Sequence, residues 1–205
     1  MDTQPYIKWL APDGSPIHGG TGRWPLPTRH ADGSWTPGRP RRVRGEIVPC
    51  QDGLHFCTLS QAIEWIREGA VPFLVQYRGP LLDHGDKVVA AEARLVRRLA
   101  WDDRLARHFA CDCAARALTR LAVPDPRSVA AIAVARRFAE GAATAHELAA
   151  ARAAAWGAAR EAAWAAAWDA ARAAARAAAR EAAWAAANVW QGQRLWHYFT
   201  GGQPG

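Results

Sequence analysis

The sequence predicts an α+β protein in which a small, mostly antiparallel sheet module is followed by an all-α domain built on a long alanine-rich helix. Short β-like runs separated by turns are confined to the first half of the chain. Helix start and stop signals replace them after Trp101. From about Thr144 to Asn188 most residues are alanine, the residue with the highest helix propensity. We expect an α+β module at 1–100, a helical domain at 101–200 and a flexible tail at 201–205.

The first 45 residues are rich in glycine, proline and other turn formers. With Trp9, Trp24 and Trp35 among them, this composition predicts irregular structure held by aromatic anchors. Runs with β character follow, separated by turns. These runs are Glu46–Pro49, Leu54–Cys57, Phe73–Arg78 and Lys87–Val96.

Capping signals mark the helices. Thr58 and Gln61 form a capping-box pattern that predicts one short helix, ended by Gly69. In the second half, aspartate, proline and threonine stand where helices begin. The expected helices run from Asp102 or Asp103 to about Leu121, from Asp125 and Pro126 to Gly141, and onward from Thr144.

The alanine segment carries a large side chain at almost every fourth residue. A helix turns once in about 3.6 residues, so this stripe winds around the rod and does not form one flat face. The pattern suits a helix surrounded by several neighbours, or a bend near Gly157. The tryptophans either fill a helical core or form a binding surface with the arginines. The candidate binding residues are Trp164, Trp168, Arg172, Arg176, Arg180 and Trp184.

The formal net charge of +7 is carried almost wholly by arginine. A basic chain attracts nucleic acid, phosphate or an acidic protein, although a GC-rich genome also favours this composition. Arg172, Arg176 and Arg180 repel one another at helical spacing, which an anionic partner would relieve. Nucleic acid would bind through Arg39, Arg41, Arg42 and Arg44 and through Arg172, Arg176 and Arg180.

The first ten residues lack the basic start and apolar run of a secretion signal, and no long apolar stretch follows. We therefore expect a cytoplasmic protein without membrane contact. Four cysteines in such a chain are expected to be buried structural thiols and not disulfides. A zinc site through Cys50, His55, Cys57 and a helical cysteine is the weaker alternative, because Cys111 and Cys113 point about 200° apart on a helix. We expect no metal and no cofactor.

The second half resembles a bacterial and phage family of immunity proteins. The resemblance rests on Phe109–Leu118, on Ala131–Gly141 and on the repeated Ala-Ala-Arg and Ala-Ala-Trp units, and it covers about half the chain. It implies an all-helical domain with a binding role, in a protein of bacterial or bacteriophage origin. It brings no catalytic residues.

The first half is similar to an uncharacterised actinobacterial and phage domain with a Tyr-Lys start, a Trp-Pro-Leu-Pro stretch and a Gly-Leu-His turn after a cysteine. More distantly, Asp52–Thr58 and the following helix resemble the strand-and-helix motif of ADP-ribosyltransferases, in which an aromatic or histidine platform stacks on nicotinamide. That resemblance implies a first strand at Tyr6–Trp9 and a last strand at Lys87–Val96. It also implies an NAD-like pocket formed by Lys8, His55 and Lys87.

The chain departs from the ADP-ribosyltransferase pattern at two of these positions. Lys87 stands where the family has its catalytic glutamate, and Lys8 stands where an arginine or histidine usually holds the dinucleotide. The transfer needs a carboxylate to stabilise developing positive charge, which a lysine opposes. Glu92 or Asp86 would supply it only in another register. The loop Gly19–Gly22 lacks the Lys-Ser/Thr of a phosphate-binding P-loop.

From the residues we expect a non-catalytic protein-interaction or immunity-like module that binds a protein partner, or a second copy of itself, through its tryptophan- and arginine-rich helical surface. Two alternatives stay open. One is an ADP-ribosyltransferase-like, NAD-binding protein, active or inactive. The other is a nucleic-acid-binding or phage structural protein.

Overall fold

The computed structural model of the chain describes residues 5–49, 51–121, 123–169 and 177–203, and the side chains of residues 158–185 lie outside that description. The described residues combine helices with antiparallel strands, which confirms the α+β class. The chain divides into two compact units. The sheet unit comprises Met1–Trp101 with Asn188–Gly202, and the helical unit comprises Asp102–Ala187 with Gln203–Gly205. The sheet unit thus contains a C-terminal stretch that the sequence assigned to the helical domain.

The described part of the sheet unit contains seven strands: β1 (Tyr6–Leu10), β2 (Thr28–Arg29), β3 (Trp35–Thr36), β4 (Arg41–Arg42), β5 (Leu54–Thr58), β6 (Val71–Asp83) and β7 (Val88–Arg98). Five of them form one antiparallel sheet in the order β4-β7-β5-β1-β6, while β2 and β3 form a separate hairpin. β6 and β7 also pair with each other along their length. The strands β5, β1, β6 and β7 therefore close into a ring.

β1 corrects the prediction that the first 45 residues are irregular. It lies between β5 and β6, and its residues Ile7, Trp9 and Leu10 are buried. A five-residue strand is too short for its alternation to stand out. The strand implied by the ADP-ribosyltransferase resemblance coincides with β1.

The later β-like runs overlap β5, β6 and β7, but the strand predicted at Glu46–Pro49 is wrong. Only Val48 makes a bridge there among the described residues, with Asp52. The amide of Gln51 donates a 3.0 Å hydrogen bond to the Val48 carbonyl oxygen, so the chain turns back at once. A tight turn has replaced the extended run.

The capping box is confirmed. Thr58 caps helix α1 (Leu59–Ala62), and Gln61 returns a 2.9 Å hydrogen bond by accepting from the Thr58 amide. The helix is shorter than predicted, because a 3₁₀ turn (Ile63–Trp65) follows and Ile66 is already extended. Gly69, with φ at 72°, lies beyond the helical residues.

The described part of the helical unit contains α2 (Asp103–Leu118), α3 (Pro126–Ala139), α4 (Ala145–Asp169) and the first half of α5 (Ala177–Phe199). Asp102 and Asp125 cap α2 and α3 as predicted. α4 is helical through Gly157. None of the described helices has both the length and the apolar character that a membrane crossing requires.

The second half of α5 belongs to the sheet unit. Leu195, Tyr198 and Phe199 are at most 1% exposed there. The ring of Phe199 makes edge contacts with Trp9 and Trp101, each with centroids 5.7 Å apart. The α5 terminus therefore completes the core beside β1.

Gly192 of α5 should tolerate no side chain, because an added Cβ would lie 2.9 Å from the carbonyl carbon of Leu59. We expect Gly192→Ala to cost about 1–3 kcal/mol in the free energy of unfolding. Gly157→Ala is the matched control, since a Cβ there meets nothing within 4 Å. It should gain about 0.5–1 kcal/mol from helix propensity. Urea unfolding followed by circular dichroism measures both, and equal stabilisation would contradict the packing of α5 on α1.

Candidate functional site

A pocket of about 540 Å³ opens in the sheet unit where β1 and β5 stop pairing. Within the described residues these strands pair at Tyr6↔Thr58 and Ile7↔Cys57. Beyond Ile7, β1 continues beside β6, and the earlier residues of β5 pair with β7. The walls include Lys8 from β1 and residues 54–56 from β5. The volume is in the range of small-molecule sites.

Lys8 and Arg41 share the buried ring of Trp24 in this pocket. The Lys8 Nζ lies 5.7 Å from the ring centroid, and the guanidinium carbon of Arg41 lies 5.3 Å from it. Arg41 also donates a 3.4 Å hydrogen bond to the carbonyl oxygen of Gly22. A tryptophan face attracts cations, so the ring holds two positive charges near each other.

A second aromatic and basic group in the same pocket consists of Trp65, Lys87 and His18. The Lys87 Nζ lies 5.3 Å from the Trp65 ring centroid and 3.2 Å from the Asp86 carboxylate. The Nε2 of His18 lies 2.9 Å from the carbonyl oxygen of Trp65 and donates to it in the matching tautomer. Trp65 in turn donates a 2.8 Å hydrogen bond from Nε1 to the Asp86 carbonyl oxygen. These bonds fix the orientation of both rings.

The basic groups of the pocket oppose one another's charge. Burial lowers the pKa of Lys8 to about 8, and the charge of Arg41 acts in the same direction, against an opposite effect of Cys57. Burial also lowers the pKa of His55, and the charges of Lys8 and Lys87 add to that shift. The site therefore disfavours further positive charge.

A glycine-rich loop forms another wall of the pocket. Gly19, Gly20 and Thr21 line it, and the two glycines have φ values of 78° and 93°. An added Cβ at Gly19 would meet nothing within 4 Å, so the loop backbone is open to the pocket. Exposed amides of such a loop are suitable donors to an anion. The loop lacks a lysine of its own, and Lys8 and Arg41 supply the positive charge beside it.

Lys8, His55 and Lys87, predicted for an NAD-like pocket, all line this cavity. Sequence reasoning missed the contributions of His18, Trp24 and Trp65. The sequence places Trp24 among the aromatic anchors of the first 45 residues and Trp65 within the short helix predicted before Gly69. No local motif connects either residue with Lys8. Their common location depends on pairing between distant strands.

The predicted helical binding surface lies largely outside the described residues. Arg172 and Arg176 fall outside them entirely. The backbones of the other four lie in α4 and α5, but their side chains are outside the description: Trp164, Trp168, Arg180 and Trp184.

The basic cluster predicted near residue 40 is divided between two environments. Arg41 is half-buried and lines the pocket, whereas the neighbouring Arg42 is exposed and pairs with Glu92 at 3.0 Å. Successive strand residues point to opposite faces, which explains the division within β4. Arg39 and Arg44 are exposed.

The described cysteines lie in separate settings. Cys57 is buried and donates a 3.1 Å hydrogen bond to the Ile7 carbonyl oxygen, and burial raises its pKa to about 12. Cys111 and Cys113 lie on α2 in the helical unit, and Cys50 is outside the described residues. Over the described part of the chain, no three His, Cys, Asp or Glu side chains gather in a metal-binding group.

Carboxylates are scarce in the pocket. Among its described lining residues Asp52 is the single one. Asp86 is engaged with Lys87; burial acts to raise the pKa of Asp86, but the hydrogen bond and charge of Lys87 outweigh it. The pocket is thus a cationic site with aromatic walls.

Comparison with known proteins gives no match: no protein-family model, curated protein or solved structure is detectably similar to this chain.

The low pKa of Lys8 predicts how stability changes with pH. The folded-state pKa is about 8, and an unfolded lysine has a pKa of about 10.4. Between these values the unfolded chain binds more protons, so the Lys8 contribution to stability rises as the pH increases. From pH 7 to 9.5 the wild type should gain up to about 2 kcal/mol relative to Lys8→Met.

Urea unfolding of both proteins at the two pH values measures this gain, and the comparison cancels groups that the substitution leaves unaltered. A stability difference that does not change with pH would show that Lys8 titrates like an ordinary exposed lysine.

Proposed function

We propose that the sheet unit is a non-catalytic binding module for a phosphate-bearing small molecule of nucleotide size. The observation that carries the proposal is the convergence of basic side chains from separate segments on one pocket, where burial and then neighbouring positive charges lower the pKa values of Lys8 and His55. Bringing like charges together in a partly desolvated site costs free energy. A bound anion recovers that free energy.

The shape and lining of the pocket support this ligand class. Its volume of about 540 Å³ exceeds what a single phosphate occupies. His55 and Trp65 supply planar side chains, and the loop at Gly19–Thr21 supplies open backbone. Planar rings favour stacking with an aromatic ligand. A phosphate attached to a ring system uses both kinds of wall.

The same lining favours binding over ADP-ribosyl transfer. Transfer needs a carboxylate beside the reacting ribose, where developing positive charge is stabilised. Lys8 and Lys87 place positive charge in the pocket instead. The two alternative carboxylates are engaged elsewhere, Asp86 with Lys87 and Glu92 with Arg42. NAD-like ligands belong to the proposed class, and we expect the pocket to bind them without cleaving them.

Isothermal titration calorimetry with ADP, pyrophosphate and adenosine tests the proposal. We expect ADP and pyrophosphate to bind and adenosine to bind far more weakly, because the phosphate provides the charge. Arg41→Ala should weaken ADP binding by about tenfold or more, the loss expected for a charged hydrogen bond. Raising the salt concentration should also weaken it.

The matched control is Arg98→Ala, which removes an exposed arginine of β7 that does not line the pocket. Its ADP affinity should equal that of the wild type. If the wild type binds neither ADP nor pyrophosphate at millimolar concentration, the proposal is wrong. An equal loss in Arg41→Ala and Arg98→Ala would mean that net charge, and not the pocket, attracts the anion.

A second proposal, protein binding by the helical unit, has one observation in its favour. Trp156 of α4 is 70% exposed and borders an apolar groove lined by alanines of α2 and α3. Arg107 and Arg152 also line that groove. An apolar segment that carries carboxylates complements both features. The immunity-like role stays a prediction within this proposal.

Capture of a defined partner tests the second proposal. A protein retained from nuclease-treated host lysate should be lost with Trp156→Ser and kept with Val129→Ser, which alters an exposed apolar residue of α3 outside the groove. Retention with both variants would exclude the groove as the binding surface.

A further inference from the structure

We propose that Lys8 is a reactive amine that captures the carbonyl group of a phosphate-bearing aldehyde or ketone as an imine. The inference rests on the proposed function, because the anionic group brings the carbonyl compound to the pocket. It goes beyond that function by assigning a covalent step to one residue.

The location of Lys8 suits this step. Lys8 lies on β1 directly after the last residue that pairs with β5, and it lines the pocket that opens there. Its Nζ is 5.7 Å from the centroid of Trp24, a ring that is 4% exposed. Lys8 is half-buried, so its side chain is partly desolvated where it borders the pocket.

Arg41 supplies the second requirement, a fixed positive charge beside the amine. Its guanidinium lies 5.3 Å from the centroid of the same Trp24 ring. An arginine stays protonated at any ordinary pH, so it holds an anion while the lysine is neutral. A lysine beside another cation in a desolvated pocket is a recognised way to activate an amine.

The protonation state follows from these neighbours. With a pKa of about 8, roughly one quarter of Lys8 is neutral at pH 7.5, against about one part in a thousand for an ordinary lysine. Only the neutral amine has the electron pair that attacks a carbonyl carbon. The pocket therefore keeps a reactive fraction of Lys8 near neutral pH.

The step is balanced without any redox partner. The amine electron pair forms a C–N bond to the carbonyl carbon, and a proton from nitrogen passes to the oxygen. The carbinolamine then loses its hydroxyl group and the second nitrogen proton as water, which leaves an imine. His55 lines the same pocket with a lowered pKa and is suited to carry these protons.

Lys87, the other lysine of the chain, differs in its surroundings. Its Nζ lies 3.2 Å from the Asp86 carboxylate, so its ammonium form has an anionic partner. Because the chain has two lysines, peptide mapping can follow the reaction of each side-chain amine separately. We expect imine formation at Lys8 and little at Lys87.

The test uses the full chain with pyridoxal 5′-phosphate, which combines a phosphate, a planar ring and an aldehyde. Sodium cyanoborohydride traps any imine at pH 7.5, and peptide mapping by mass spectrometry gives the rate at each amine. Arg98→Lys adds an exposed reference amine on β7. We expect Lys8 to react at least about tenfold faster than that reference, because its neutral fraction is far larger. Removing the phosphate, as in pyridoxal, should lower the rate at Lys8 more than the rate at the reference amine, because the anion that binds beside Lys8 is missing.

Calorimetry with pyridoxine 5′-phosphate, which has an alcohol in place of the aldehyde, separates the two claims. If it binds and the preference for Lys8 is absent, the imine inference is overturned while the binding function stands. If pyridoxine 5′-phosphate does not bind, the imine inference is overturned, and the titrations with ADP and pyrophosphate decide the binding function separately. Lys8→Arg has no primary amine at this position, so it should form no adduct in the pocket. An unchanged 1:1 adduct in Lys8→Arg would also overturn the assignment.

Discussion

The limited pairing of β1 with β5 is the constraint on which the sheet unit depends. The ring of β5, β1, β6 and β7 closes on that side through two paired positions among the described residues. The two strands diverge beyond Ile7. Backbone that leaves a ladder must face water, another element or a ligand. Here it borders a pocket, and the aromatic core around β1 and the end of α5 keeps the strand in place.

The chemistry of the pocket follows from this opening. Lys8 and Arg41 both lie near the Trp24 ring. The charges of Lys8 and Lys87 act on His55. Burial is the main cause of the lowered pKa values of Lys8 and His55, and neighbouring positive charges add to it, while the aromatic rings offset part of the repulsion. A site with this balance gains more from an anion than from a neutral ligand. The burial and the charge repulsion that lower the pKa of Lys8 also favour anion binding and activate the amine.

Sequence reasoning succeeded where the signals are local. The capping box at Thr58 and the aspartate caps of α2 and α3 need only a few neighbouring residues. It failed where tertiary contacts determine the local structure. One example is the short strand β1, and another is Glu46–Pro49, where the chain forms a turn.

The candidate site shows the same limit. The resemblance to ADP-ribosyltransferases grouped Lys8, His55 and Lys87, which line one pocket. The joint position of Trp24 and Arg41 follows from strand pairing far apart in the chain, which no spacing in the sequence reveals. The most direct test of the account is NMR titration of the lysine side chains in isotopically labelled protein, with and without ADP. We expect one lysine to titrate near pH 8 and its pKa to rise when ADP binds. The account would be contradicted if both lysines titrate near their ordinary pKa of about 10.4 and neither pKa changes when ADP is added.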